Sequence, residues 1–173
     1  MKYTLKSLLL AALLGVVLPA QAAIQNYNFS GAMDSGHYNG ASFSGSFSFD
    51  DASLTASGSE WINLNSINMH FLSSTFTQAN TLALSDMDVA FQDGALLGLE
   101  WSVNSSTPNV GFSFIAGIVD ASDAYVTYDT NLGNSGAGSV IYAAVPEPES
   151  YAMLLAGLGL LGWTTCRAKK SDD

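Results

Sequence analysis

Ser42-Phe43-Ser44-Gly45-Ser46-Phe47-Ser48-Phe49 alternates serine with phenylalanine or glycine over its whole length. Successive side chains of a β-strand point to opposite faces, so Phe43, Phe47 and Phe49 share one face and the serines take the other. A 3.6-residue period would scatter those three rings around a helix, so the stretch is predicted to be a strand with one buried side. The same period recurs further along. Ile67, Met69 and Phe71 alternate with Asn68 and His70, and Met87, Val89 and Phe91 alternate with Asp86 and Asp88. Leu97, Leu99, Trp101 and Val103 follow Asp93-Gly94, a pair suited to the positive φ angles of a tight hairpin turn. Val110, Phe112 and Phe114, then Val126 and Tyr128, then Val140 and Tyr142 complete the set.

About eight or nine strands are expected, separated by Gly-, Asn- and Ser-rich turns. One apolar face per strand predicts an all-β ectodomain of antiparallel sheets packed as a β-sandwich or jelly roll, with a closed barrel as the alternative. From residue 23 to 144, Ser, Thr, Asn and Gly account for 50 of 122 residues. No helical periodicity interrupts this stretch, and no internal repeat is visible. A flexible linker is expected at Asn131 to Ser139, or in the stem from Ala143 to Ser150.

The charge distribution narrows the function classes. Formal net charge is −10, and the five basic residues are Lys2, Lys6, Arg167, Lys169 and Lys170. Residues 23–144 therefore hold eleven acids and no Lys or Arg. Neutralising phosphates takes Lys and Arg, so neither nucleic acid nor an anionic membrane surface is an expected partner.

Both ends have the composition of targeting segments. Lys2 and Lys6 precede the apolar run Leu8 to Leu18; Pro19 then breaks the run, and Ala20-Gln21-Ala22 offers small residues to a signal peptidase. Cleavage is expected after Ala22, which makes the Sec translocon and signal peptidase the first partners. The C-terminal stretch Tyr151 to Cys166 has 16 residues and is predominantly apolar. As a helix it would span about 24 Å, somewhat under a hydrocarbon core of about 30 Å. A short transmembrane helix is the expectation, with Arg167, Lys169 and Lys170 as a cytoplasmic basic stop. Pro146 and Pro148 keep helix and sheet out of the stem that precedes it.

Val145-Pro146-Glu147-Pro148, the short Leu/Gly-rich span and the basic tail together resemble the PEP-CTERM sorting signal of Gram-negative bacteria. The resemblance covers Val145 to Asp173 and departs from the usual pattern at Thr164-Thr165-Cys166 and at Ala168. It implies an exosortase, a membrane cysteine protease, acting near the Pro-Glu-Pro motif, and hosts that make extracellular polysaccharide or biofilm. By the same resemblance Pro146, Glu147 and Pro148 are the recognition motif, and the three basic residues are the stop.

Catalytic residues, a cofactor site and a metal site are not expected. Asp50-Asp51, Asp86, Asp88 and Asp93, and Asp120 and Asp123 group acids without cationic partners, which suits calcium. The EF-hand spacing is missing, so solvated carboxylates are the plainer reading. His37 and His70 stand apart from Cys and from each other, unlike zinc ligands. No G-x-S-x-G elbow marks a nucleophilic serine, and no pair of carboxylates is singled out for glycoside cleavage. Glu60-Trp61 and Glu100-Trp101 each place an acid beside an aromatic, as sugar sites do; Trp101 shares a strand face with Leu97 and Leu99 and is expected in the core. Cys166 lies outside the β domain, which therefore has no disulfide.

The sequence thus divides into a signal peptide (1–22), a β ectodomain (23–144) and a sorting signal (145–173). It predicts a non-enzymatic exported protein, held briefly at the inner membrane and destined for the cell surface or extracellular matrix, where polysaccharide is the expected neighbour. A lectin-like carbohydrate-binding module, with or without calcium, is the alternative.

Overall fold

The computed structural model describes residues 23–82, 87–130, 132–146 and 153–161. Ala20, Ala22, Asp86, Glu147, Pro148, Cys166, Arg167, Lys169 and Lys170 lie outside the described residues. Nine strands carry the fold: β1 (Ile24–Met33), β2 (Ser42–Asp50), β3 (Ser59–Phe71), β4 (Ser74–Thr77), β5 (Met87–Gln92), β6 (Ala95–Ser106), β7 (Asn109–Ile115), β8 (Tyr125–Asp129) and β9 (Ser135–Ala144). They form one sheet in the order β2-β1-β9-β8-β7-β6-β5-β3-β4, and a further pairing joins β2 to β3. That pairing runs from Phe43↔Phe71 to Phe49↔Leu64, so eight strands complete a circuit and the sheet is an antiparallel barrel.

One closed sheet therefore stands where two packed sheets were expected. Alternation assigns each strand a buried face, and a sandwich or a barrel satisfies that equally. The deciding contact is the β2–β3 register, which period 2 does not encode. Two irregularities bend the wall, one where Asn65 is extra between Leu64 and Ser66, the other where Leu97 is extra between Leu96 and Gly98. β4 and β5 both lie along the same edge of β3, β5 against residues 59–63 and β4 against residues 68–71. A bridge from Thr81 to Val103 ties the end of the β4 segment to β6.

The interior is aromatic. Phe29, Phe43, Phe47, Phe49, Phe71, Phe76, Phe91, Trp101, Phe112, Phe114 and Tyr128 are all buried, with Leu99, Val89, Met69 and Val126 between them. Phe114 stacks on Trp101 at 5.8 Å and meets Phe29 edge-on at 5.3 Å. The Trp101 indole N–H donates to Thr81 Oγ1 at 3.0 Å, which satisfies its polar atom inside the core. Every alternating set read from the sequence packs inward, Met87 and Tyr142 only partly.

Asp93 and Gly94 have φ of 50° and 80°, and Gln92 pairs with Ala95, so the expected two-residue hairpin is present. A second tight hairpin at Leu72-Ser73 was not anticipated; Leu72 adopts φ 53° and is exposed, a conformation leucine seldom signals. The stretch expected as a flexible linker at Asn131 to Ser139 instead enters β9 at Ser135. β1 was missed as well, because Gly31 interrupts the apolar series Tyr27, Phe29 and Met33.

The C-terminal helix covers residues 153–161. Among the described residues no helix is long and apolar enough to cross a membrane. The expected helix from Tyr151 to Cys166 is thus described only in its central part, which at about 1.5 Å per residue falls well short of a bilayer core.

Candidate functional site

Both ends of the barrel's chain leave from the same rim. β1 starts at Ile24, opposite Asp50, and β9 finishes at Ala144, opposite Tyr27. The Val145 N–H then donates to the Asn26 carbonyl at 2.8 Å. Pro146 is next; it lacks an N–H and cannot extend the ladder, so pairing stops there. Val145 and Pro146 are both exposed. On the other side of β1, Ala23 is held by Asp51, whose Oδ1 accepts from the Ala23 N–H at 2.9 Å.

Carboxylates in this cation-free wall turn to N–H donors. Asp50 accepts from Ala52, Asp120 from Ser122, and Asp123 from Val119. Glu60 holds the loop before β3, accepting from the Thr55 N–H and hydroxyl at 2.8 Å and from the Ser57 N–H at 3.3 Å. The Thr55 N–H leads in holding its carboxyl below the usual carboxylate range. Asp93 is lowered in the same way, chiefly by the Gly58 N–H, and Asp120 by the Ser122 hydroxyl and N–H. Among the described residues no three His, Cys, Asp or Glu side chains gather as metal ligands. His70 bonds Thr75 Oγ1 through Nδ1 at 2.9 Å, and His37 packs edge-on against Tyr38 at 5.0 Å.

The tryptophans of the two Glu-Trp pairs divide. Trp101 is 1% exposed and belongs to the core, as expected, whereas Trp61 is 55% exposed on the outer face of β3. Trp61 faces Ala90 across the sheet, with Gly98 the next residue beyond. Two positions along, Asn63, Asp88 and Glu100 make a row on the same face. An exposed ring with an amide and two carboxylates two positions along the same face has the donors, acceptors and apolar plane that a sugar ring uses. Elsewhere the outer wall is low and polar. Ser30, Ser44 and His70 form one row across β1, β2 and β3, and Asn28, Ser46 and Asn68 form the next. An open groove of about 660 Å³ runs over β6 to β9, past Asn104, Ser113, Thr127, Asp129 and Ser135.

The last strand of the barrel thus leads directly into the proline-marked tail. The tail is that of a known sorting system: the family model for the PEP-CTERM protein-sorting motif matches residues 144–170. The match begins on the final residue of β9. It bears out the resemblance read from the tail. No curated protein and no solved structure matches the chain.

The part played by Asp51 in anchoring Ala23 was not read from the sequence. Asp50-Asp51 was visible only as an acidic pair, and the partner lies 28 residues away.

Proposed function

We propose that this is a non-enzymatic exported protein of the cell surface or extracellular matrix, delivered by cleavage of a signal peptide after Ala22 and by exosortase action near Pro146-Glu147-Pro148. The observation that carries the reading is the sorting-motif match at 144–170, which starts where the barrel stops. The shared rim fits it. With β1 starting and β9 ending side by side, a leader and a tail attached there can both reach one membrane while the barrel stands clear of it. Before processing, the apolar tail and its basic stop, Arg167, Lys169 and Lys170, hold the precursor at the inner membrane. The mature barrel then joins extracellular polysaccharide through its low polar wall, with no cofactor.

Replacing Pro146-Glu147-Pro148 by three alanines tests the sorting step. The expected result is a full-length, membrane-held form in place of a shortened, released one. Unchanged size and location would overturn the reading.

The exposure of Trp61 favours a second reading, a lectin-like carbohydrate-binding module. Stacking on its ring predicts micromolar binding to a neutral polysaccharide. Trp61→Ala should weaken that binding at least tenfold, about 1.4 kcal/mol, in affinity electrophoresis. The exposed position makes the melting temperature the control, since it should hardly move. Calcium belongs to this reading only if it strengthens binding to acidic glycans.

A further inference from the structure

Ala23 is gripped at both of its polar ends by one residue. Its N–H donates to Asp51 Oδ1 at 2.9 Å, and its carbonyl accepts from the Asp51 N–H at 3.3 Å. The second carboxylate oxygen, Oδ2, accepts from Gln25 Nε2 at 2.9 Å. These contacts lie one step beyond the last β1–β2 pair, Ile24↔Asp50. The neighbouring Asp50 side chain is engaged with the Ala52 N–H, so the two acids have separate tasks.

A main-chain amide offers that carboxylate one hydrogen and no charge. Cleavage between Ala22 and Ala23, which the export reading supplies, converts the same nitrogen into an α-ammonium. Hydrolysis of the peptide bond leaves a carboxylate on Ala22 and the ammonium on Ala23. The nitrogen then carries three hydrogens and a positive charge 2.9 Å from Asp51, and a charge-assisted bond is roughly twice as strong as a neutral one. The newcomer meets no competing Lys or Arg from the barrel segment, since none occurs between Ser7 and Cys166. The contact is partly buried, which limits its screening by salt.

We infer that Asp51, oriented by Gln25, is the receptor for the N-terminus created by signal-peptide removal. Processing thereby adds to the barrel rim an ion pair that the precursor lacks. Cleavage one residue earlier would put the ammonium one residue, about 3.8 Å of chain, away from this carboxylate.

Two arms keep this inference distinct from the export reading on which it rests. In the first, the exported protein is purified and its N-terminal mass mapped; Ala23 is the expected first residue. Another terminus would overturn the link between processing and the pair. In the second, the chain from Ala23 to Asp173 is released from a fusion in vitro, with and without Ser-Gly ahead of Ala23. This arm needs no export. The form with a free Ala23 should melt about 2–4 °C higher, and the difference should shrink in 0.5 M NaCl. Selective acetylation of the α-amine should abolish it, as should Asp51→Asn. Equal melting temperatures, or a gap that survives acetylation, would overturn the receptor.

Discussion

Tyr142 shows how a single side chain couples the barrel wall to its interior. Its hydroxyl accepts from the Leu99 N–H at 3.1 Å, joining β9 to β6 across the core. Burial pushes its ionisation up from 10.0 to about 12, against a smaller downward pull from the Leu99 N–H. The fold thus favours the neutral phenol. Its contribution is whole below pH 10 and is lost as pH rises from 10 to about 12. Tyr142→Phe should cost about 1–3 kcal/mol at neutral pH, because the Leu99 N–H loses its partner. It should also remove this alkaline sensitivity, so melting curves of the two proteins should converge as pH passes 10. A gap of constant size to pH 11.5 would count against the assignment. Neither the Leu99 partner nor the depth of the ring is legible in the sequence, which shows Tyr142 only as an alternating apolar residue.

Among the elements, the β1–β2 hairpin has the clearest internal logic. Phe29-Ser30-Gly31 runs antiparallel to Phe43-Ser44-Gly45, and the register sets Phe29 opposite Gly45 and Gly31 opposite Phe43. Each ring occupies the space that a side chain on the facing glycine would need. Tyr128 does the same over Gly136 between β8 and β9. These glycines serve close approach, which is why they interrupt the apolar series without ending the strands. A Cβ on Gly45 would meet both the Asn68 carbonyl oxygen and the Phe29 ring. Gly45→Ala should therefore destabilise by about 1–3 kcal/mol, read as a lower urea midpoint with an unchanged slope. A neutral outcome would mean that the β1–β2 register is wrong. Half of this motif was legible: Phe43, Phe47 and Phe49 announced β2, but β1 was hidden because Gly31 is where its third inward residue should be.

At the scale of the molecule, the charge pattern governs behaviour. The barrel segment carries eleven acids against no Lys or Arg, so its surface has repulsions to screen and no Lys or Arg pairs to lose. Raising NaCl from 0.01 M to 0.15 M shortens the screening length from about 30 Å to about 8 Å. The melting temperature should rise by about 2–4 °C, where a protein rich in favourable surface pairs would show little change or a fall. A decrease measured by calorimetry would show that some cation-bearing segment packs on the barrel. The same charge pattern explains the loops. With no ammonium or guanidinium at hand, Glu60, Asp93 and Asp120 stabilise turns by taking N–H and hydroxyl donors.

Most of the strands, their inward faces, the Asp93-Gly94 turn and the sorting tail were readable from residue order. Each depends on neighbours within a few positions, where side-chain alternation, turn stereochemistry and a contiguous motif leave a direct trace. Closure of the sheet through β2 and β3, the exposure of Trp61, and the grip of Asp51 on Ala23 were settled only by the tertiary structure. These depend on which strand edges meet, and on contacts between residues far apart in the chain. A period of two gives each strand an inside and an outside, and it carries no information about which strand lies beside it.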